Sequence, residues 1–127
     1  MWMNPAPFLM TSVVCLGAAA FAEGDLDAGE KVFRKCKACH AIGPDAKTKT
    51  GPVLTGILGA KAGSDPDFPY SKALVAAASK GLVWDEASLS AFLTKPRDFL
   101  EGTQMSFSGL RREKDVVNLI AYLASFD

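Results

Sequence analysis

The stretch KCKACHAIG, residues 35–43, places Cys36 and Cys39 three positions apart, and His40 follows directly. Cysteine and histidine at short spacing serve in disulfides, in metal sites and in the covalent attachment of a cofactor. At this spacing all three side chains can act on one group. Which of these uses applies depends on what the rest of the chain supplies.

The first 22 residues are predicted to be a secretory signal. They carry no charged side chain, contain an apolar run over residues 8–21 and end in Ala20-Phe21-Ala22, a small-x-small pattern that a signal peptidase accepts. The run is shorter than the roughly 20 apolar residues of a spanning helix, and an uncleaved anchor is the alternative. Cleavage after Ala22 would leave a single exported, periplasmic domain, residues 23–127.

Residues 23–127 contain two cysteines, one histidine and one methionine. A structural zinc site needs four Cys or His ligands, more than this stretch holds. A thioredoxin-like pair of cysteines would need βαβ units, and no such pattern is present. C-x-x-C-H is also the attachment signature of c-type haem. The preferred interpretation is that both cysteines bond a haem and that His40 reaches its iron.

The rest of the pattern predicts an all-α fold of short helices and long loops. Four helices are expected: residues 27–41, 71–80, the segment from Asp85 to Pro96, and 112–126. Asp25 or Asp27 would cap the first of them. Five glycines and four prolines between residues 43 and 70 predict a long loop, which wrapping a haem would explain. A second irregular segment is expected over 96–109.

A haem iron bound by one histidine has a second axial position, and its occupant decides between electron transfer and ligand chemistry. Met105 lies 65 positions beyond His40, in the irregular stretch EGTQMSFSG, residues 101–109. Most methionines fill gaps in a core, but a polar loop bounded by glycines suits that role poorly. Met105 is therefore predicted to be the second ligand.

The chain resembles class I cytochrome c, most closely the branch of bacterial cytochrome c2 and mitochondrial cytochrome c, over nearly all of residues 24–127. The matching stretches stand in family order and at family spacing: GEKVFRKCKACHAIG (29–43), TGPVLTGILGAKAG (50–63), KGLVW (80–84), GTQMSFSGL (102–110) and LIAYL (119–123). The resemblance implies the class I cytochrome c fold, wrapped around one covalently bound haem c.

The resemblance also implies individual roles. They are Cys36 and Cys39 as thioether links, His40 as proximal ligand, Met105 as distal ligand, Pro52 as carbonyl acceptor for the proximal imidazole, and Tyr70 and Trp84 as donors to a buried haem propionate. Gly29 and Phe33 would meet Leu119 and Tyr122 where the first and last helices cross.

Several positions depart from the family pattern. Ala60 stands where an arginine usually lies near the buried propionate, and Phe92 stands where a tyrosine commonly hydrogen-bonds the methionine sulfur. Val53 replaces a usual asparagine, Gln104 stands where relatives often place a lysine, and the segment between residues 70 and 84 is longer than in the mitochondrial proteins. Gln104 is expected to make the salt dependence of docking shallower, and the other departures are expected to alter the reduction potential and the stability of the ligand loop rather than the ligands.

The function implied is a soluble monohaem electron carrier rather than an enzyme. Its expected partners are membrane redox complexes: a cytochrome bc1-type donor, and a photosynthetic reaction centre or terminal oxidase as acceptor. The protein is expected to be a monomer that binds no nucleic acid and docks transiently at the membrane surface. The alternatives are a membrane-tethered cytochrome, a haem subunit of a dehydrogenase, and a ligand-binding haem sensor or enzyme.

Charge is distributed unevenly although the formal net charge is zero. Residues 23–30 hold four acids and no base, whereas residues 31–49 hold six bases and one acid, a local balance of +5. The basic segment includes both cysteines, so part of it is expected to border the haem edge. It would steer encounter with an acidic partner.

Overall fold

The computed structural model describes residues 24–127 and the isolated Met3, so the predicted signal sequence lies almost entirely outside the described residues. The helices are α1 (Leu26–Phe33), α2 (Lys72–Ser79), α3 (Glu86–Thr94), α4 (Pro96–Phe99) and α5 (Glu113–Ala124). One isolated antiparallel bridge joins Lys61 and Val83, and the described residues contain no named strand. The predicted all-α fold is confirmed.

Helix α1 begins one residue before the predicted start at 27 and ends earlier than predicted. Asp25 is its N-cap, and its side chain accepts a hydrogen bond from the Ala28 N–H at 3.1 Å. The predicted end at residue 41 is wrong, because the chain leaves the α-helix after Phe33. The Cys36 N–H donates to the Phe33 carbonyl at 2.8 Å, three residues back. Such tighter turns are common at helix ends, and here they carry the two cysteines.

Proline and capping signals set the limits of α3 and α4. The Asp85 side chain accepts from the Ser88 N–H at 2.8 Å and caps α3, which ends at Thr94, before the predicted stop at Pro96. The expectation that residues 96–109 are wholly irregular is wrong at their start, where Pro96 opens the one-turn helix α4. Proline suits a first helical position because its φ is already fixed near the helical value.

The crossing of α1 and α5 forms one end of the core. Gly29 is buried in α1, where an added Cβ would meet the Asn118 carbonyl and lie 2.7 Å from the Tyr122 Cβ. The rings of Phe33 and Tyr122 pack with their centroids 5.4 Å apart. Phe33 and Leu119 belong to the same buried cluster, so the helix crossing expected from the resemblance is present.

A short antiparallel pairing places Trp84. The Trp84 N–H donates to the Ala60 carbonyl, and the Gly59 N–H donates to the Trp84 carbonyl, both at 2.8 Å. Together these bonds hold the Trp84 backbone against the long loop, and the residue is 6% exposed. Within residues 24–127, no helix is long and apolar enough to cross a membrane.

Candidate functional site

A single cavity brings together chemistry-bearing side chains from distant parts of the chain. Its volume of about 980 Å³ is at the upper end of the roughly 300–1,000 Å³ typical of cofactor sites. Cys36, Cys39, His40 and Met105 all line it. The rest of its wall is mostly apolar, and the long loop over residues 43–70 supplies much of it.

The two cysteines reach the cavity as free thiols. Both are half-buried, and no disulfide joins them. Burial raises the pKa of the Cys36 thiol, the neighbouring Cys39 raises it further, and Lys35 opposes the shift. Unpaired thiols are the state that thioether formation requires, so this end of the cavity fits covalent attachment of a cofactor.

The imidazole of His40 is held in one tautomer. Its Nδ1 lies 2.7 Å from the Pro52 carbonyl oxygen. Because a carbonyl can only accept, Nδ1 carries the proton and Nε2 keeps a free lone pair. Burial lowers the pKa of His40 and Lys49 lowers it further, while the hydrogen bond to Pro52 opposes them. The ring is therefore neutral at neutral pH, as a metal-ligating histidine must be.

Gly51 is a site residue to which the sequence analysis gave no role. A Cβ at this position would lie 2.8 Å from each ring nitrogen of His40 and closer still to Cε1. Only glycine leaves room for the imidazole, and the next residue, Pro52, then receives its hydrogen bond. The sequence signal was the matched stretch TGPVLTG, residues 50–56, in which the glycine precedes the proline.

Met105 approaches the cavity from the second irregular segment. Its side chain is half-buried and packs against the main core cluster. Its N–H donates to the Thr103 Oγ1 at 3.2 Å. At the far end of the segment the Leu110 N–H donates to the Leu93 carbonyl at 2.8 Å. The predicted thioether ligand thus stands in a loop tied down on both sides.

Tyr70 and Trp84 also line the cavity, as expected of donors to a polar group within it. The Tyr70 hydroxyl accepts from the Asp65 N–H at 2.9 Å, which leaves its own hydrogen free to donate. Burial raises the pKa of Tyr70, so the hydroxyl remains protonated at neutral pH. Trp84 is 6% exposed and lines the same cavity.

Comparison with known proteins identifies the family. Cytochrome c2 of Agrobacterium tumefaciens is 48% identical over 101 residues, which cover 80% of this chain and 91% of that protein. Cytochrome c2 of Rhodomicrobium vannielii is 46% identical over 108 residues, covering 85% of this chain and 84% of the relative. The chain belongs to the cytochrome c2 family.

Solved structures agree with this cytochrome c2 assignment. Cytochrome c2 from Rhodospirillum centenum superposes with a TM-score of 0.75 at 40% identity, over 81% of this chain and 98% of the other. Cytochrome cH from Methylobacterium extorquens gives 0.72 at 43% identity, over 80% and 99%. No protein-family model matches the chain. The class I cytochrome c fold is thereby confirmed.

A cytochrome c2 is a c-type cytochrome, so its cofactor is one covalently bound haem c and its role is electron transport. The cavity fits this group. Two free thiols lie beside a neutral imidazole with an unprotonated Nε2, and a thioether lines the same apolar space. A polar group on the cofactor would meet donors at Tyr70 and Trp84.

The departures from the cytochrome c2 pattern lie in the wall of the same cavity. Ala60 and Phe92 both line it. The Phe92 ring packs against Trp84 with centroids 5.1 Å apart, so an aromatic contact stands where the family commonly has a phenol. At Ala60 no guanidinium is available, although the next residue, Lys61, also lines the cavity.

Proposed function

We propose that this protein is a soluble periplasmic cytochrome c2 that carries single electrons between membrane complexes. The donor would be a cytochrome bc1-type complex, and the acceptor a photosynthetic reaction centre or terminal oxidase. The supporting observation is that His40 and Met105, the two candidate axial ligands, line one cavity with the attachment cysteines. Residues 1–22 would direct export and then be removed by cleavage after Ala22.

Each of these residues has a proposed task. Cys36 and Cys39 hold the cofactor by thioether bonds, and His40 and Met105 supply its axial ligands. The Pro52 carbonyl fixes the imidazole, because a ligating histidine needs its other N–H held. Haem iron, once bound, supplies the one-electron redox change. With both axial positions filled by the chain, no open position would be left for a substrate. The protein would therefore carry electrons rather than catalyse a reaction.

Met105 is tested through the reduction potential. A neutral thioether favours ferrous iron relative to a second imidazole, so Met105→His should lower the potential by more than about 59 mV, a tenfold change for one electron. Redox titration of the haem-loaded protein measures this. An unchanged potential would show that Met105 is not the ligand. Strong carbon monoxide binding by the reduced wild-type protein would favour a ligand-binding haem protein instead.

The proposed docking edge lies beside the cysteines. Lys35 and Lys47 are both exposed, and both border the cavity. Positive charge at this edge would attract an acidic partner over about 8–10 Å, the Debye length near physiological salt. Association, and with it electron transfer between the two proteins, would then slow as salt is added.

Charge reversal tests that edge with a matched control. Lys35→Glu should slow second-order reduction of the isolated acceptor complex at low salt. Lys80→Glu makes the same charge change at an exposed residue of the described chain that does not border the cavity, and it should have a smaller effect. Equal rates for both variants, or a rate independent of salt, would instead indicate docking through apolar contact near Phe107.

A further inference from the structure

Helix α2 packs against loops rather than helices. In the part of the chain that the structure describes, every substantial helix–helix contact is made among the other four helices. The α2 N-cap, Ser71, is buried, and its Oγ accepts from the Leu74 N–H at 3.1 Å. A Cβ on Gly63 would lie 3.6 Å from the Ala78 Cβ and 3.8 Å from the Leu74 Cδ2, so the loop around Gly63 packs closely on one side of α2.

Ala73, in the first turn of α2, faces a different loop. A Cβ on Gly102 would lie 3.2 Å from the Ala73 Cβ, and no other neighbour comes within 4 Å of it. The φ of Gly102 is +90°, so the chain makes a left-handed turn directly against this methyl group. Contact between α2 and the second irregular segment therefore includes a close approach of one small side chain to one glycine.

The turn at Gly102 leads directly to Met105. The Thr103 N–H donates to the Leu100 carbonyl at 3.0 Å, and the Thr103 Oγ1 then accepts from the Met105 N–H at 3.2 Å. A shift of Gly102 would pass through these two bonds to the methionine. Phe92 offers no hydroxyl to hold the sulfur, so backbone placement carries more of the task here.

We infer that Ala73 is a positioning residue for Met105: its methyl group sets the position of Gly102 and thereby keeps the thioether at the iron. The inference rests on the proposed ligation by Met105. A bulkier side chain would push the loop away, and glycine would leave it unsupported. In either case the fraction of molecules with the methionine detached increases.

Cyanide binding to the ferric, haem-loaded protein measures that fraction. An added ligand binds only where the methionine has left, so its apparent dissociation constant falls as the detached population rises. Ala73→Val should lower this constant about tenfold, equivalent to about 1.4 kcal/mol, and should weaken the absorption band of methionine-ligated ferric haem. Ala76→Val is the control, since Ala76 is exposed on the same helix and does not line the cavity.

A second pair of variants keeps the test decisive if a valine variant does not fold. Ala73→Gly and Ala76→Gly each remove one methyl group from α2 and replace alanine by a poorer helix former, and only Ala73→Gly should tighten cyanide binding. Equal effects within each pair would mean general loosening of α2 and would overturn the inference. Met105→Ala separates the two claims. If it tightens cyanide binding and the Ala73 variants do not, only the inference fails; if it does not, the proposed ligation fails and the inference with it.

Discussion

Substitution of Gly29 by alanine tests the crossing of α1 and α5, because helix propensity and packing make opposite predictions. Propensity favours alanine over glycine by about 1 kcal/mol inside a helix. The new Cβ, however, would meet the Asn118 carbonyl and lie 2.7 Å from the Tyr122 Cβ. A backbone carbonyl within α5 has no rotamer to adopt, so the two helices must separate.

The expected magnitude follows from these two effects. Overpacking a core costs about 1–3 kcal/mol, and contact with backbone points to the upper end. Subtracting the gain in propensity leaves a loss of about 2 kcal/mol in the free energy of unfolding. For a domain of this size each kcal/mol shifts Tm by about 4–8 °C, so Tm should fall by about 8–16 °C.

Thermal unfolding of the haem-loaded protein, followed by far-ultraviolet circular dichroism, gives the measurement. Gly81→Ala is the comparison, since a Cβ there meets nothing within 4 Å and the only cost comes from its φ of +93°, about 1–2 kcal/mol. The packing argument fails if Gly29→Ala leaves Tm unchanged or raises it, because propensity alone would then account for the result.

Three further changes have distinct expected outcomes. Gly51→Ala should displace the His40 imidazole while the haem stays attached, so a wild-type absorption spectrum would contradict the close approach. Cys36→Ala combined with Cys39→Ala should leave the chain largely unfolded, because so small a core needs its cofactor; native helix content without haem would refute this. Hydrogen bonds from Ser88 lower the pKa of Asp85, so its stabilisation is complete above the unfolded value of about 3.9 and is lost as pH falls through the folded value. Asp85→Ala should therefore lower Tm at neutral pH, with a difference that shrinks in acid; a pH-independent difference would exclude the carboxylate.

Local signals explain why much of the fold could be predicted. Asp25 and Asp85 each satisfy a free N–H of the first turn through their own side chain, and Pro96 stops α3 by its ring geometry. These effects need only a few neighbouring residues. The end of α1 at Phe33 could not be predicted in this way, because apolar spacing continues through Cys36 while the hydrogen bonds change to three-residue turns.

Close approaches between distant segments were not predictable from local pattern. Gly51 is followed by the proline expected to accept from His40, yet nothing in its neighbours shows that the imidazole lies against its Cα. Ala73 and Gly102 are ordinary residues of a helix and a turn until the fold brings them together. The candidate ligands could be recognised from the sequence, whereas the features that position them depend on tertiary contacts.

The charge at the cavity edge shows how the structure changes a sequence argument. Lys35 lies at this edge because it precedes Cys36 in the chain. The long loop, however, adds Lys47, Lys61 and the acids Asp65 and Asp67 to the cavity lining. Three lysines and two aspartates leave a local balance much smaller than the +5 of residues 31–49. Attraction of an acidic partner to the cavity edge should therefore be weaker than the count over residues 31–49 suggests, so the association rate should fall less steeply as salt is added than that count alone would predict.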